Sequence, residues 1–323
     1  MINFVGRRKW YFLISGIIIL LGIVFLIPIG PFGLTWGIEF TSGSMMTLSF
    51  EQAVTQAELQ QEMASLGHSE AIIQGTEEDT FLIRTSKLAE EVADPETGEM
   101  IHEEEAIRSA LEERFGSEVK MLSSYDISPS MARGITSNAA IAVVVAAVGI
   151  LLYITWAFRR LMRPFRFGVC AIVALVHDVL IVLGIYAFLG NFFLMEIDVM
   201  FITGVLTVIG YSVNDTIVVF DRIRENMTKS TGIPLATTVN NSIMETLGRS
   251  LNTSLTTLFL LLALFLLGGA TIHNFVLVLL IGVIVGTYSS IGIASQLLVV
   301  WESGELGGFF RRIIPRRVPV RGA

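Results

Sequence analysis

Asp215 lies inside Val199-Met-Phe-Ile-Thr-Gly-Val-Leu-Thr-Val-Ile-Gly-Tyr-Ser-Val-Asn-Asp-Thr-Ile-Val-Val-Phe220, an apolar run long enough to cross a bilayer. An aspartate at the centre of such a helix costs at least about 2.5 to 3.5 kcal/mol, so it usually faces a bundle interior and often marks an ion or proton path. The alternative is an Asp that caps or braces a helix contact. Thr203, Thr207, Tyr211 and Asp215 recur every four residues, which lines them on one helix face with Gly210 and Asn214 beside them. A polar stripe of this kind needs protein or water beside it, not lipid. Arg249, Thr253 and Thr257 share a face in another apolar run, and Arg249 either snorkels to the interface or faces Asp215. His177 and Asp178 lie well inside a third run, as a second ionisable pair or as an internal hydrogen bond between helices. The chemistry within reach is proton transfer. Burial favours a neutral Asp215, a nearby Arg249 favours the carboxylate, and a proton carrier must sit between those extremes.

These residues must be positioned by membrane helices. The chain is 53% hydrophobic and only 16% charged, with a mean hydropathy of +0.68, which places it among membrane proteins. Six runs suffice for a hydrocarbon core of roughly 30 Å: residues 10 to 29, 135 to 157, 167 to 189, 199 to 222, 250 to 269 and 273 to 300. Arg7, Arg8 and Lys9 precede the first run as they would in a signal peptide. That run is too long and no A-x-A site follows Pro28, so it reads as an uncleaved anchor. Arg7 to Lys9, then Arg159, Arg160, Arg163 and Arg166, then Arg222, Arg224 and Lys229, then Arg311, Arg312, Arg316, Arg317 and Arg321 occupy every second side. The loops Gly190 to Asp198 and Gly268 to Asn274 hold no Lys or Arg. Both termini are therefore expected in the cytoplasm. In the sixth run Gly282, Gly286, Ser290 and Ala294 recur every four residues and let a neighbouring helix approach.

The long loop, Gly30 to Arg133, holds 20 Asp and Glu against 6 Lys and Arg, while the remainder holds 9 against 16. So acidic a domain argues against nucleic acid as a partner. Its pattern predicts a strand at 44 to 50, a helix at 55 to 66, strands at 71 to 74 and 80 to 85, a helix at 103 to 115 and a strand at 119 to 125. The order β-α-β-β-α-β is the ferredoxin-like split motif, an α+β domain inserted between the first two of six transmembrane helices. Its expected core is Met46, Leu48, Leu59, Ile72, Leu82, Ile107, Leu111 and Val119, and Asp94 to Gly98 reads as a turn at its rim. The domains are thus 1–29 (N-terminus and first helix), 30–133 (extracytoplasmic domain), 134–300 (helices two to six) and 301–323 (basic cytoplasmic tail). His102 precedes Glu103, Glu104 and Glu105, but neighbours on a helix diverge, so this reads as a solvated helix start and no metal is expected. Cys170 is the only cysteine, so no intrachain disulfide can form. There is no H-E-x-x-H, no C-x-x-C and no G-x-x-x-x-G-K-[ST], so neither cofactor nor nucleotide hydrolysis is expected.

Gly210-Tyr-Ser-Val-Asn-Asp-Thr-Ile-Val-Val-Phe-Asp-Arg-Ile-Arg-Glu-Asn226 closely resembles the fourth-helix signature of the SecF family of bacterial protein-export membrane subunits. The resemblance runs along the whole chain and includes Val176-His-Asp178, Thr246-Leu-Gly-Arg-Ser-Leu251 and Leu280-Ile-Gly-Val-Ile-Val-Gly-Thr-Tyr-Ser-Ser290. Trp36-Gly-Ile-Glu-Phe-Thr-Ser-Gly43 looks like the family's G-I-D-F-T-G-G segment, with Glu39 and Ser42 as departures. The resemblance implies a proton-driven accessory of the Sec translocon in the bacterial inner membrane, half of the twelve-helix resistance-nodulation-division plan. It implies SecD as partner, the SecYEG translocon, YajC and YidC as its setting, and an unfolded exported polypeptide as its cargo. Asp215 matches the family's intramembrane carboxylate and Arg249 its basic partner, which makes them the expected proton relay. Asn214, Tyr211, Thr207, His177, Asp178 and Thr253 would support it. Two other readings stay open: a half-size superfamily transporter for small solutes or lipids, and a non-transporting assembly factor whose polar residues only hold helices together.

Overall fold

The computed structural model describes residues 2–27, 33–77, 79–93, 100–159, 163–193, 195–229 and 232–304. The turn expected at Asp94 to Gly98 and all but the first four residues of the expected basic tail lie outside the described residues. After α1 (Arg8–Leu26) and the short α2 (Ile38–Thr41), the chain runs through β1 (Gly43–Phe50), α3 (Gln56–Ser65), β2 (Ile72–Glu77), β3 (Thr80–Thr85), β4 (Val92–Ala93), β5 (Met100–Ile101), α4 (Glu103–Phe115) and β6 (Val119–Ile127). It then enters α5 (Pro129–Ala157), α6 (Pro164–Phe193), α7 (Val199–Lys229), α8 (Leu235–Leu267), α9 (Ala270–Ser289) and α10 (Ser295–Glu302). A π-helical turn, Ser290–Ala294, joins the last two. Six of these segments are long and apolar enough to cross a membrane.

The sheet has the order β2-β3-β1-β6 with antiparallel neighbours, the ferredoxin-like arrangement. Local chemistry sets its boundaries. Thr55 and Glu58 form a capping box at the start of α3, and Gly116 ends α4 in a left-handed conformation. Met46, Leu48, Leu59, Ile107, Leu111 and Val119 are buried as expected, but Ile72 and Leu82 are not: the core takes Ile73, Phe81 and Ile83 instead. Both strands carry apolar residues on either parity, and a one-residue slip in parity exchanges the faces. Phe50, Val54, Met63, Ala71 and Leu88 complete this core.

The opposite face of the sheet is tied to the helices. Arg84 of β3 forms an ion pair with Glu196, in the loop between α6 and α7, at 2.7 Å. Trp36 and Ile197 make a parallel bridge in which Gly37 N–H donates to Ile197 O at 2.9 Å and Ile197 N–H to Thr35 O at 2.8 Å.

Helix α7 is central, packed against α6, α8 and α9. Gly282 and Gly286 of α9 make that contact close: a Cβ on Gly282 would meet Val208 Cγ2 at 2.0 Å, and one on Gly286 would meet Ser212 Cβ at 2.9 Å. Gly22 and Gly184 make a second backbone-to-backbone crossing, of α1 with α6, which the sequence analysis did not single out. Several helices outrun their apolar windows: α5 begins at Pro129, with Ser128 as its cap, and α8 begins at Leu235 rather than 250. The added part of α8 is amphipathic, burying Thr238, Val239, Ser242, Ile243 and Thr246 and exposing polar neighbours, so its mean hydropathy hides it. It pairs with the end of α7, where Asn226 Nδ2 donates to Ser242 Oγ at 3.0 Å and Arg222 contacts Glu245.

Candidate functional site

Asp215 is buried on α7, with 9% of its surface exposed. Ser250 of α8 donates its hydroxyl to Asp215 Oδ1 at 2.5 Å, while Oδ2 is buried with no hydrogen-bond partner. The carboxyl borders a cavity of about 120 Å³ lined by Tyr211, Asn214, Asp215, Val218, Arg249, Ser250 and Thr253. A water's share of liquid volume is about 30 Å³, so the cavity has room for several. Arg249 is brought to the same cavity and is exposed, yet no Asp or Glu lies within 4.0 Å of its guanidinium among the described residues. The group in direct contact with the carboxylate is therefore a serine hydroxyl, not the arginine.

Around this pair, hydroxyls tie three helices together. Tyr211 OH donates to Ser254 Oγ at 3.2 Å, and Ser254 Oγ lies 2.6 Å from Thr287 Oγ1 of α9. Thr216 Oγ1 lies 3.2 Å from Ser290 Oγ in the π turn. The remaining members of the expected stripe do not reach Asp215. Thr203 and Thr207 are exposed and donate to the carbonyls of Val199 and Thr203 on their own helix, and Thr253 donates likewise to Arg249 O. Asn214 is exposed beside the cavity.

His177 and Asp178 form a separate buried site. His177 Nδ1 is 2.9 Å from Asp178 Oδ1, and Asp178 Oδ2 accepts from Ser212 of α7 at 2.6 Å and Ser289 of α9 at 2.8 Å. The carboxylate thus joins α6, α7 and α9, the interhelical bond that was one of its two sequence readings. His177 Nε2 is buried without a partner. Sequence reasoning missed Ser250, Ser254, Ser212, Ser289 and Thr287. A signal for two of them exists: Ser242, Thr246, Ser250 and Ser254 recur every four residues in α8, all buried. No group of three or more His, Cys, Asp or Glu is placed to hold a metal among the described residues.

Comparison with known proteins gives consistent matches. The family model for the protein export membrane protein SecD/SecF, C-terminal, matches residues 107–304, and the SecD/SecF GG motif matches residues 32–54. The chain is 43% identical over 316 residues to the protein translocase subunit SecF of Thermobaculum terrenum, covering 98% of each chain. It is 39% identical over 315 residues to the SecF of Anaerolinea thermophila, covering 97% of this chain and 98% of that one. The crystal structure of SecDF, a translocon-associated membrane protein from Thermus thermophilus, aligns with a TM-score of 0.78 at 34% identity. The alignment covers 94% of this chain and 39% of that longer one.

Proposed function

This chain belongs to the SecD/SecF protein-export membrane family, and we propose that it is the SecF subunit which, with SecD, uses the proton motive force to promote polypeptide export. The observation that carries the proton role is Asp215. It is a buried carboxyl with one serine donor and one unpartnered oxygen, on a polar cavity beside an arginine that has no acidic partner among the described residues. A carboxyl so placed can take and release a proton with little rearrangement, and the cavity has room for the water that would carry it. Each charge crossing the membrane potential releases about 2.3 kcal/mol per 100 mV, so several protons per stroke suffice for a domain movement.

The exposed polar residues Asn214 and Arg249 are unsuited to lipid and support the docking of SecD against α7 and α8. SecYEG, YajC and YidC complete the proposed setting in the bacterial inner membrane. The basic loops support cytoplasmic termini and a 30–133 domain on the outer side, where it would contact the emerging chain.

The test is Asp215→Asn, which keeps shape and hydrogen-bonding capacity but removes the titratable proton. Export into inverted vesicles containing SecD is measured with and without a proton gradient. The variant is expected to insert and assemble normally and to lose the gradient-dependent stimulation. Undiminished stimulation would rule out Asp215 as a required proton carrier.

A further inference from the structure

Three carboxyls and one guanidinium meet where the sheet domain sits on the helices. Arg84 comes from β3, Glu39 from α2, and Glu196 and Asp198 from the loop that leads into α7. Arg84 Nη1 lies 2.7 Å from Glu196 Oε2, and the two side chains are 12% and 2% exposed. The other oxygen, Glu196 Oε1, is buried without a hydrogen-bond partner. Asp198 Oδ1 accepts from Phe201 N–H at 2.6 Å in the first turn of α7, and the Asn274 side chain of α9 bonds the same carboxyl. Glu39 folds back over Gly37, where a Cβ would stand 2.5 Å from Glu39 Oε2 and 3.1 Å from Ile197 O. Tyr125 of β6 and Tyr186 of α6 close the joint, with Tyr186 OH donating to Glu196 O at 3.1 Å. Of these groups only Arg84 is cationic.

We propose that Glu196, with Glu39 and Asp198 around it, is a proton-binding site whose occupancy sets how firmly the sheet domain is held on α7. It deepens the reading given above, because the domain's movement serves export only if that reading holds.

Three ionised carboxylates against one arginine leave a surplus of negative charge around the buried Glu196, with Glu39 and Asp198 half-buried beside it, and burial penalises charge that is not matched. Burial is the largest influence on each of Glu39, Glu196 and Asp198 and pushes all three above the usual carboxylate range. Arg84 opposes this at all three, while Glu39 and Asp198 reinforce it at Glu196. The sign follows by linkage. A carboxyl that binds its proton more tightly in the docked than in the open domain stabilises docking when protonated, and that stabilisation is lost as pH rises through its docked value. Protons arriving at this end of the bundle therefore close the joint, and their departure loosens it. Asp198 caps α7, the helix that carries Asp215, so the joint and the membrane carboxyl share one rigid element.

The experiment measures distance rather than export. Spin labels at Glu113→Cys on α4 and Leu267→Cys at the end of α8, both exposed positions, are introduced with Cys170→Ala into the full chain in lipid nanodiscs. Distance distributions are recorded from pH 5 to pH 8. The native joint is expected to give one narrow distance at pH 5 and a growing second population towards pH 8. Glu39→Gln removes one of the like charges and should raise the docked-to-open ratio at pH 8 several-fold. Arg84→Gln removes the only cation and should move the opening to lower pH. A contact that is merely structural would loosen in both variants. Distributions that do not change with pH, or two variants that shift in the same direction, overturn the proposal. Because nothing is exported in this measurement, its failure is separate from failure of the Asp215→Asn test.

Discussion

Ser42 offers a stability test that follows directly from backbone geometry. It ends α2 at φ 68°, ψ 158°, a region essentially reserved for glycine. A residue with a Cβ held there stores about 1–3 kcal/mol of strain. The native contacts of Ser42 do not depend on its side chain: its N–H donates to Ile38 O at 2.8 Å, which glycine would retain. Glycine's extra freedom in the unfolded chain offsets about 0.5–1 kcal/mol. Ser42→Gly should therefore stabilise the sheet domain by about 0.5–2 kcal/mol, at on the order of 4–8 °C per kcal/mol for a domain of this size. Its neighbour behaves oppositely. Gly43 has φ +145°, and a Cβ there would stand 2.5 Å from Thr85 O, so Gly43→Ala must displace the β1–β3 pairing and lower stability. Calorimetry of the full chain, with hydrogen exchange of β1, measures both. Ser42→Ala is the control, since alanine keeps the Cβ and should gain nothing. Melting of Ser42→Gly at or below the native temperature, or an equal gain from Ser42→Ala, would refute the strain argument.

Three further outcomes follow from the helices and the sheet. Gly282→Ala places a methyl within 2.0 Å of Val208 Cγ2 and should cost about 1–3 kcal/mol by overpacking; Val208→Ala should restore part of it, giving non-additive losses in a double-mutant cycle of detergent unfolding. Ser250→Ala removes the hydroxyl that donates to Asp215 Oδ1. A hydrogen bond to a charged group is worth about 1.5–3 kcal/mol, so gradient-dependent export should change about tenfold or more. Thr253→Val, whose hydroxyl serves only its own helix, should change that export rate far less. Glu70 is held down to about 2 by its own backbone N–H and by the hydroxyls of Ser86 and Thr85. A depressed carboxyl contributes stability above its ordinary value and loses it as pH falls from that ordinary value of 4.5 towards about 2. Glu70→Gln should flatten the acid limb of the sheet domain's unfolding curve over that window, as measured by circular dichroism.

The six spans and the β-α-β-β-α-β order were legible because each rests on a long-period signal. An apolar run of bilayer length has few competing explanations, and the strands were separated by helices with clear caps. Parity within a strand rests on less. Phe81, Leu82 and Ile83 are three consecutive apolar residues, so periodicity cannot say which face is inward until packing against α3 and α4 decides it. The start of α8 was hidden for the converse reason: its first turns are held by a narrow buried stripe, and averaging over the polar neighbours Asn240, Asn241 and Glu245 erases it.

At the site, Asp215 was legible because a single carboxylate in an apolar run demands an explanation, whereas hydroxyls demand none. Ser and Thr in a helix can satisfy themselves on the carbonyl one turn back, as Thr203, Thr207, Thr253, Thr256 and Thr257 all do. Nothing in residue type separates these from Ser250, three positions before Thr253, whose hydroxyl leaves its own helix to reach Asp215. What separates them is the face: Ser250 continues the buried Ser242, Thr246 and Ser254 row, while Thr253 continues the outward row of exposed Arg249 and half-buried Thr257. Arg249 is the charge on that outward row, and Asp215 of α7 is the acid that the inward row meets through Ser250. Charge pairing alone would join the two, yet the fold puts a neutral donor on the carboxylate and leaves the arginine at the cavity rim. A proton carrier benefits from that division, since a directly bound guanidinium would hold the carboxylate ionised and unable to take up a proton.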